Sequence, residues 1–128
     1  MKPLKHKLVS GLAGFGLAAL AAVSGAEADE FRTTEEASVV RGSIVFKTYC
    51  ILCHGADGEG DGRASKIHNP KPANLTLSFL TDAQKEIIIR TGGAAVGRSP
   101  IMPAWGEHLT DEQIKDVVAY LRIINRRP

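Results

Sequence analysis

Cys50-Ile51-Leu52-Cys53-His54 brings two thiols and an imidazole into five consecutive residues. Two residues between the cysteines let both sulfurs reach one edge of a porphyrin, where they add across the vinyl groups as thioethers. The histidine that follows then lies under the ring and can donate a nitrogen to iron. The spacing reads as the attachment sequence for one covalent haem c. Three other uses of such a pair stand beside it. A redox dithiol belongs at a helix start in an α/β fold, and little of this chain reads as strand. A structural zinc site wants four ligands, and the chain has 2 cysteines in all. A disulfide is the third.

A haem iron takes a second axial donor as well. Haem iron held by His and Met is the usual electron-transfer pairing, and Met raises the reduction potential. Met102 is the methionine that remains once an N-terminal leader is removed. Pro100 and Pro103 bracket it, which keeps it out of a regular helix. It precedes the last helix, with enough chain to cross to the far face of a haem. Against these stands the plain reading of Met as a core filler. The competing donors are His68, in the polar stretch Lys66-Ile67-His68-Asn69, and His108, between Glu107 and Leu109; both read as solvated or outward-pointing side chains.

The leader is residues 1–28. Lys2, Lys5 and Lys7 precede an apolar run over residues 8–23, and Ala26-Glu27-Ala28 offers a small-x-small cleavage site, the layout of a secretory signal peptide. The alternative is a retained anchor, for which the run is shorter than the ~20 residues a spanning helix wants. Export agrees with the cysteine motif, because haem is joined to such a motif outside the cytoplasm in bacteria. Residues 29–128 then form one domain. Removing residues 1–28 takes Lys2, Lys5, Lys7 and Glu27 from a chain of 16 Lys+Arg and 14 Asp+Glu, leaving 13 of each. The basic balance of the whole chain belongs to the leader, and a near-neutral domain lacks the basic face that nucleic acid needs. A core of this size is marginal, and a buried haem would supply missing apolar surface.

The elements that must position these residues are helices. Thr33-Thr34-Glu35-Glu36, Thr81-Asp82-Ala83-Gln84 and Thr110-Asp111-Glu112-Gln113 fit the capping-box pattern, predicting helices over 34–50, 82–91 and 111–125. Gly92-Gly93 stops the second. In the third, Ile114, Val117, Val118, Leu121 and Ile124 recur at helical spacing, and Leu109 can staple to Ile114. Between the helices lie two long loops, residues 55–75 and 92–106, rich in Gly and Pro. Loops of that length are unusual in so small a domain, and a haem wrapped by both would account for them. Asp57, Glu59 and Asp61 lack the remaining ligands of a calcium loop, and the glycines around them follow no strand, as a phosphate cradle would require.

Four stretches together resemble the class I c-type cytochromes of the small bacterial monohaem kind. They are Gly42-x-x-x-Phe46-x-x-x-Cys50-x-x-Cys53-His54-Gly55, Pro72-Ala73-Asn74-Leu75-Thr76, Met102-Pro103-Ala104-Trp105-Gly106 and Val117-Val118-Ala119-Tyr120-Leu121. The resemblance covers about residues 33–126. It implies an all-α cytochrome c fold, three main helices and long loops around one haem, with the first and last helices crossing closely through Gly42, Phe46, Val117, Tyr120 and Leu121. It implies a proline carbonyl, best matched by Pro72 with Pro70 as rival, accepting from the second nitrogen of His54. It implies Asn74 and Trp105 as pocket residues near the propionates, and Arg63 or Arg98 as a propionate partner or a solvated charge.

The function so implied is a single-electron carrier of the periplasm, not an enzyme. His54 and Met102 would ligate the iron, and the protein would be a monomer meeting redox partners transiently. It would touch a membrane only through partner complexes. Two alternatives remain: an electron-accepting subunit of an exported dehydrogenase or oxidase complex, and a haem-based gas sensor or weak peroxidase with a displaceable Met.

Overall fold

A computed structural model describes residues 30–127 of the chain; the expected leader, residues 1–28, lies outside them. The regular elements are α1 (Glu35–Tyr49), α2 (Ile51–His54), α3 (Asp82–Thr91) and α4 (Asp111–Ile124), with 3-10 turns at Arg63–Ile67, Leu75–Leu77 and Ala94–Val96. No strand occurs among the described residues. The all-α expectation holds, and the three main helices begin and end within a residue of the ranges predicted from their caps.

Two of the three capping boxes form. Thr81 and Gln84 bond reciprocally at the start of α3, and Thr110 and Gln113 do so at the start of α4. Each box satisfies two backbone N–H groups that a helix start would otherwise leave orphaned. The first box does not form. The cap of α1 is Thr34, whose hydroxyl accepts from the Ala37 N–H at 3.1 Å, so the third helical residue is an alanine with no oxygen to reach back. Thr33, which the pattern offered as cap, donates instead to the Glu30 carbonyl at 2.9 Å.

α1 and α4 make the most extensive packing between elements. Gly42 permits it: a Cβ there would collide with the Asp116 carbonyl oxygen and come within 3.0 Å of Tyr120 Cβ. Beside the crossing the Phe46 and Tyr120 rings meet at 5.3 Å, in the tilted geometry aromatic pairs favour. Val45, Phe46, Ile89, Leu109, Ile114, Val117, Val118 and Leu121 form the core, which therefore includes both residues of the proposed Leu109–Ile114 staple.

The same crossing carries a polar clamp. Asp116 is 3 % exposed and accepts from Ser38 Oγ at 2.6 Å, Arg41 Nε at 2.6 Å and Arg41 Nη2 at 2.8 Å. A buried carboxylate is tolerable only when hydrogen-bonded and paired, and the Arg41 fork meets it bidentately. Asp116→Ala strips α1 of this partner while Arg41 can still turn to solvent. The substitution is expected to cost about 1–3 kcal/mol, read as a fall in thermal midpoint of the holoprotein.

Both long loops fold back onto the segments that carry the chemistry. In the first, the Gly60 and Gly62 N–H groups donate to the carbonyls of His54 (2.8 Å) and Cys53 (3.2 Å), and Leu75 N–H donates to Gly58 (2.7 Å). Gly60 has φ 82°, and a Cβ on it would collide with the Pro72 carbonyl oxygen, so only glycine suits both its conformation and this approach. In the second, Gly93 N–H donates to the Met102 carbonyl at 3.0 Å and Trp105 N–H to Ile89 at 2.9 Å. The chain after α4 ties down a third wall, with Asn125 Nδ2 donating to Ser78 at 3.0 Å and Arg126 N–H to Thr76 at 2.9 Å.

Candidate functional site

A single turn of helix carries the cysteine motif. Cys50 caps α1, and the His54 N–H donates to the Cys50 carbonyl at 2.9 Å. Cys50, Cys53 and His54 border a cavity of about 540 Å³, within the ~300–1,000 Å³ of small-molecule and cofactor sites. Its floor is the core side of α1 and α4, including Phe46, Val117 and Leu121. α3 contributes Ile88 and Ile89, and the two loops contribute Pro72, Ala73, Met102 and Trp105. The loops and the motif thus enclose one apolar space, as their length and composition suggested.

Protonation states suit a haem better than a redox dithiol. Burial pushes the Cys50 thiol up to about 12, whereas a redox-active Cys-x-x-Cys depends on a lowered thiol pKa. Burial also pushes the His54 imidazole below its ordinary range, an effect partly offset by its bond to Ala73. That bond joins Nδ1 and the Ala73 carbonyl at 3.0 Å. A carbonyl only accepts, so Nδ1 carries the proton and donates. Nε2 keeps its lone pair, the neutral form a metal needs, and the bond fixes the ring's orientation.

The acceptor is Ala73 and not Pro72. His54 meets the carbonyl one residue beyond the expected proline; the Pro72 and Ala73 carbonyls both pack close to Gly60, and Pro70 and Pro72 keep a place in the cavity wall. Asn74 does not line the cavity. Its Oδ1 accepts from the Thr76 N–H at 3.0 Å and the Thr76 hydroxyl at 2.8 Å, so it caps a 3-10 turn. Of the two arginines considered for a propionate, Arg98 borders the cavity and Arg63 does not. Neither His68 nor His108 borders it; the His108 ring lies edge-on against Trp105 at 6.1 Å. Glu59 pairs with Arg126 at 3.0 Å, and the described residues hold no group of three or more His, Cys, Asp or Glu able to bind a metal ion.

Among the cavity residues that the sequence did not single out, Ala73, Tyr49 and Lys85 matter most to the site. Ala73 gave no signal, because any residue offers a carbonyl. Tyr49 lies one helical turn beyond Phe46, and its ring meets Trp105 at 5.3 Å. Lys85 could have been found: with Ile88 and Ile89 it makes an i, i+3, i+4 stripe, and a lysine inside an apolar stripe is informative.

An apolar cavity with two cysteines on its rim, a neutral imidazole and cationic but no acidic wall residues fits a haem with its two propionates. The comparisons agree. The cytochrome c family model matches residues 39–124, and the chain belongs to that family. A subunit CcoP of the cbb3-type cytochrome c oxidase of Azospirillum brasilense is 30% identical over 90 residues, 70% of this chain and 30% of that protein. Cytochrome c-554(548) of Halomonas halodenitrificans is 33% identical over 56% of this chain and 78% of its own length. A chain of the reducing HAO-like protein complex of Kuenenia stuttgartiensis superposes with a TM-score of 0.56 at 33% identity, covering 66% of this chain and 41% of that one. The chain spans under a third of the length of the oxidase subunits it matches.

The protein is a class I c-type cytochrome, and its cofactor is covalent haem c, which supplies one-electron redox chemistry. Acid–acetone extraction is expected to leave the haem on the polypeptide, with mass spectrometry finding one haem added. Extracted haem, or an unmodified mass, would contradict attachment at Cys50 and Cys53.

Proposed function

We propose that this chain is a single-electron carrier working in the periplasm, with His54 and Met102 as the two axial ligands of one haem. The observation that supports this most is that His54, from α2, and Met102, from the loop between α3 and α4, border the same apolar cavity. With His54 and Met102 both bound, the iron would keep one geometry in its two oxidation states, so transfer would demand little reorganisation and no position would be open to a substrate. Residues 1–28 would direct export and be removed, leaving residues 29–128 as the working domain. No helix among the described residues is long and apolar enough to cross a membrane. The domain would be a monomer meeting its redox partners through contacts below about 1,200 Å² in total.

Visible and near-infrared spectra of the exported protein in both oxidation states test this reading. A low-spin ferric spectrum with a sulfur-to-iron band supports it; a high-spin ferric spectrum, or rapid carbon monoxide binding by the ferrous protein, favours the ligand-binding alternative. A second reading has a specific observation in its favour. The oxidase relatives carry the matching region as part of much longer subunits, which favours an electron-accepting subunit held in a stable complex. Co-purification with a catalytic subunit from the native membrane fraction separates that role from a free carrier.

A further inference from the structure

The cavity wall is charged with one sign only. Lys71, Lys85 and Arg98 contribute to it and no Asp or Glu does, although residues 29–128 carry equal numbers of both signs. Lys71 and Arg98 are exposed, so water and salt screen them. Lys85 is 8 % exposed. Lysines are almost never buried unless paired, and the partner here is Asp82, whose Oδ1 lies 3.2 Å from Lys85 Nζ.

The pair is set with its positive member inward. The Lys85 side chain is 9 % exposed and borders the cavity; the Asp82 side chain is 42 % exposed and does not. Asp82 is also divided between two cations, since Arg122 Nε approaches its Oδ2 at 3.2 Å. Arg122 in turn meets Glu35 at 2.9 Å. The carboxylates of this network face water, where their fields are weakened, while the lysine sits where the dielectric is low.

We infer that Lys85 is a potential-setting residue, the buried cation whose field favours ferrous over ferric haem in this cavity. The inference rests on the electron-carrier reading. Reduction passes one electron from a redox partner to the iron, with no bond formed or broken, and lowers the charge of the centre by one. A fixed positive charge nearby therefore stabilises the reduced form relative to the oxidised one. Lys85 touches the reaction only through this field. Asp82 holds the ammonium in position and Arg122 holds Asp82, so the two members of the inner pair act on the iron with opposite sign.

Spectroelectrochemical reduction potentials of the exported holoprotein test this, comparing the unaltered chain with Lys85→Met, Lys85→Arg, Asp82→Asn and the exposed control Lys71→Gln. Lys85→Met is expected to shift the redox equilibrium toward ferric by about threefold or more, roughly 30 mV at about 59 mV per tenfold for one electron. Asp82→Asn is expected to shift it toward ferrous, and Lys85→Arg to stay near the unaltered value. The Lys85→Met shift should persist in high salt while that of Lys71→Gln fades. Opposite shifts from two members of one ion pair cannot come from loss of stability. Shifts of the same sign, or none, in variants with unaltered haem spectra overturn the inference and leave the carrier reading intact. If Lys85→Met does not fold, an Asp82→Asn potential at or below the unaltered value overturns it equally. Absence of a reversible one-electron couple in the unaltered chain overturns both.

Discussion

Met102→Ala is expected to abolish the near-infrared sulfur-to-iron band of the ferric protein and to produce the largest fall in potential of any single substitution. Axial ligand identity spreads haem potentials over about 0.8 V, far more than any charge in the cavity wall can. As the proposed ligand its thioether would favour ferrous iron, and its removal would leave a position for water or another donor. The variant should turn high-spin or recruit a new ligand, and its ferrous form should bind carbon monoxide readily. Met102→His should stay six-coordinate yet fall in potential, because imidazole stabilises ferric iron better than a thioether does. Met102 lies partly buried against the core, with its carbonyl engaged by Gly93, so Ala at this position should leave the backbone in place. If the spectrum responds to His68 or His108 and ignores Met102, the ligand assignment is overturned. Neither histidine borders the cavity, which argues against that outcome.

Gly42→Val is expected to be the most damaging substitution for the fold. The atom in the way is a backbone oxygen of Asp116, which cannot rotate aside as a flexible side chain could. The two helices must therefore part. Separation would loosen the Phe46–Tyr120 contact and the Ser38–Asp116–Arg41 clamp at once, since all lie along the same crossing. Overpacking costs about 1–3 kcal/mol, and the loss of neighbouring contacts adds to it. For a domain of this size each kcal/mol lowers the thermal midpoint by about 4–8 °C. A midpoint within a degree or two of the unaltered holoprotein would show that the crossing does not depend on Gly42. Gly42→Ala, with the smallest possible Cβ, should fall in between.

How much of this could be read in advance depends on how local each feature is. The boundaries of α3 and α4 were legible because a capping box is decided within four residues: Thr81 with Gln84 and Thr110 with Gln113 need nothing from the rest of the chain. The α1 cap shows the limit of that logic, since two adjacent threonines offered two registers and Thr34 took the cap while Thr33 closed the preceding turn on Glu30. The cysteine motif was legible for the same reason as the boxes. Its spacing is chemical, and five consecutive residues contain all of it.

The tertiary structure decided which atoms the loops would present. Proline spacing alone could not choose among successive carbonyls. The folded loop packs Pro72 and Ala73 against Gly60 and presents the Ala73 carbonyl to His54. Asn74 was expected in the pocket, yet the 3-10 turn beginning at Leu75 claims its oxygen. Nothing in the sequence singles out Asp116; the glycine across from it lets α1 approach and brings Arg41 and Ser38 within hydrogen-bonding distance. The separation of charge around the cavity arose in the same way. By itself the sequence determined the cofactor, the helices and the balance of signs, because those follow from composition and short spacings. Only the tertiary structure decided that cations would face the cavity and Asp82 the solvent, because burial depends on contacts between residues far apart in the chain.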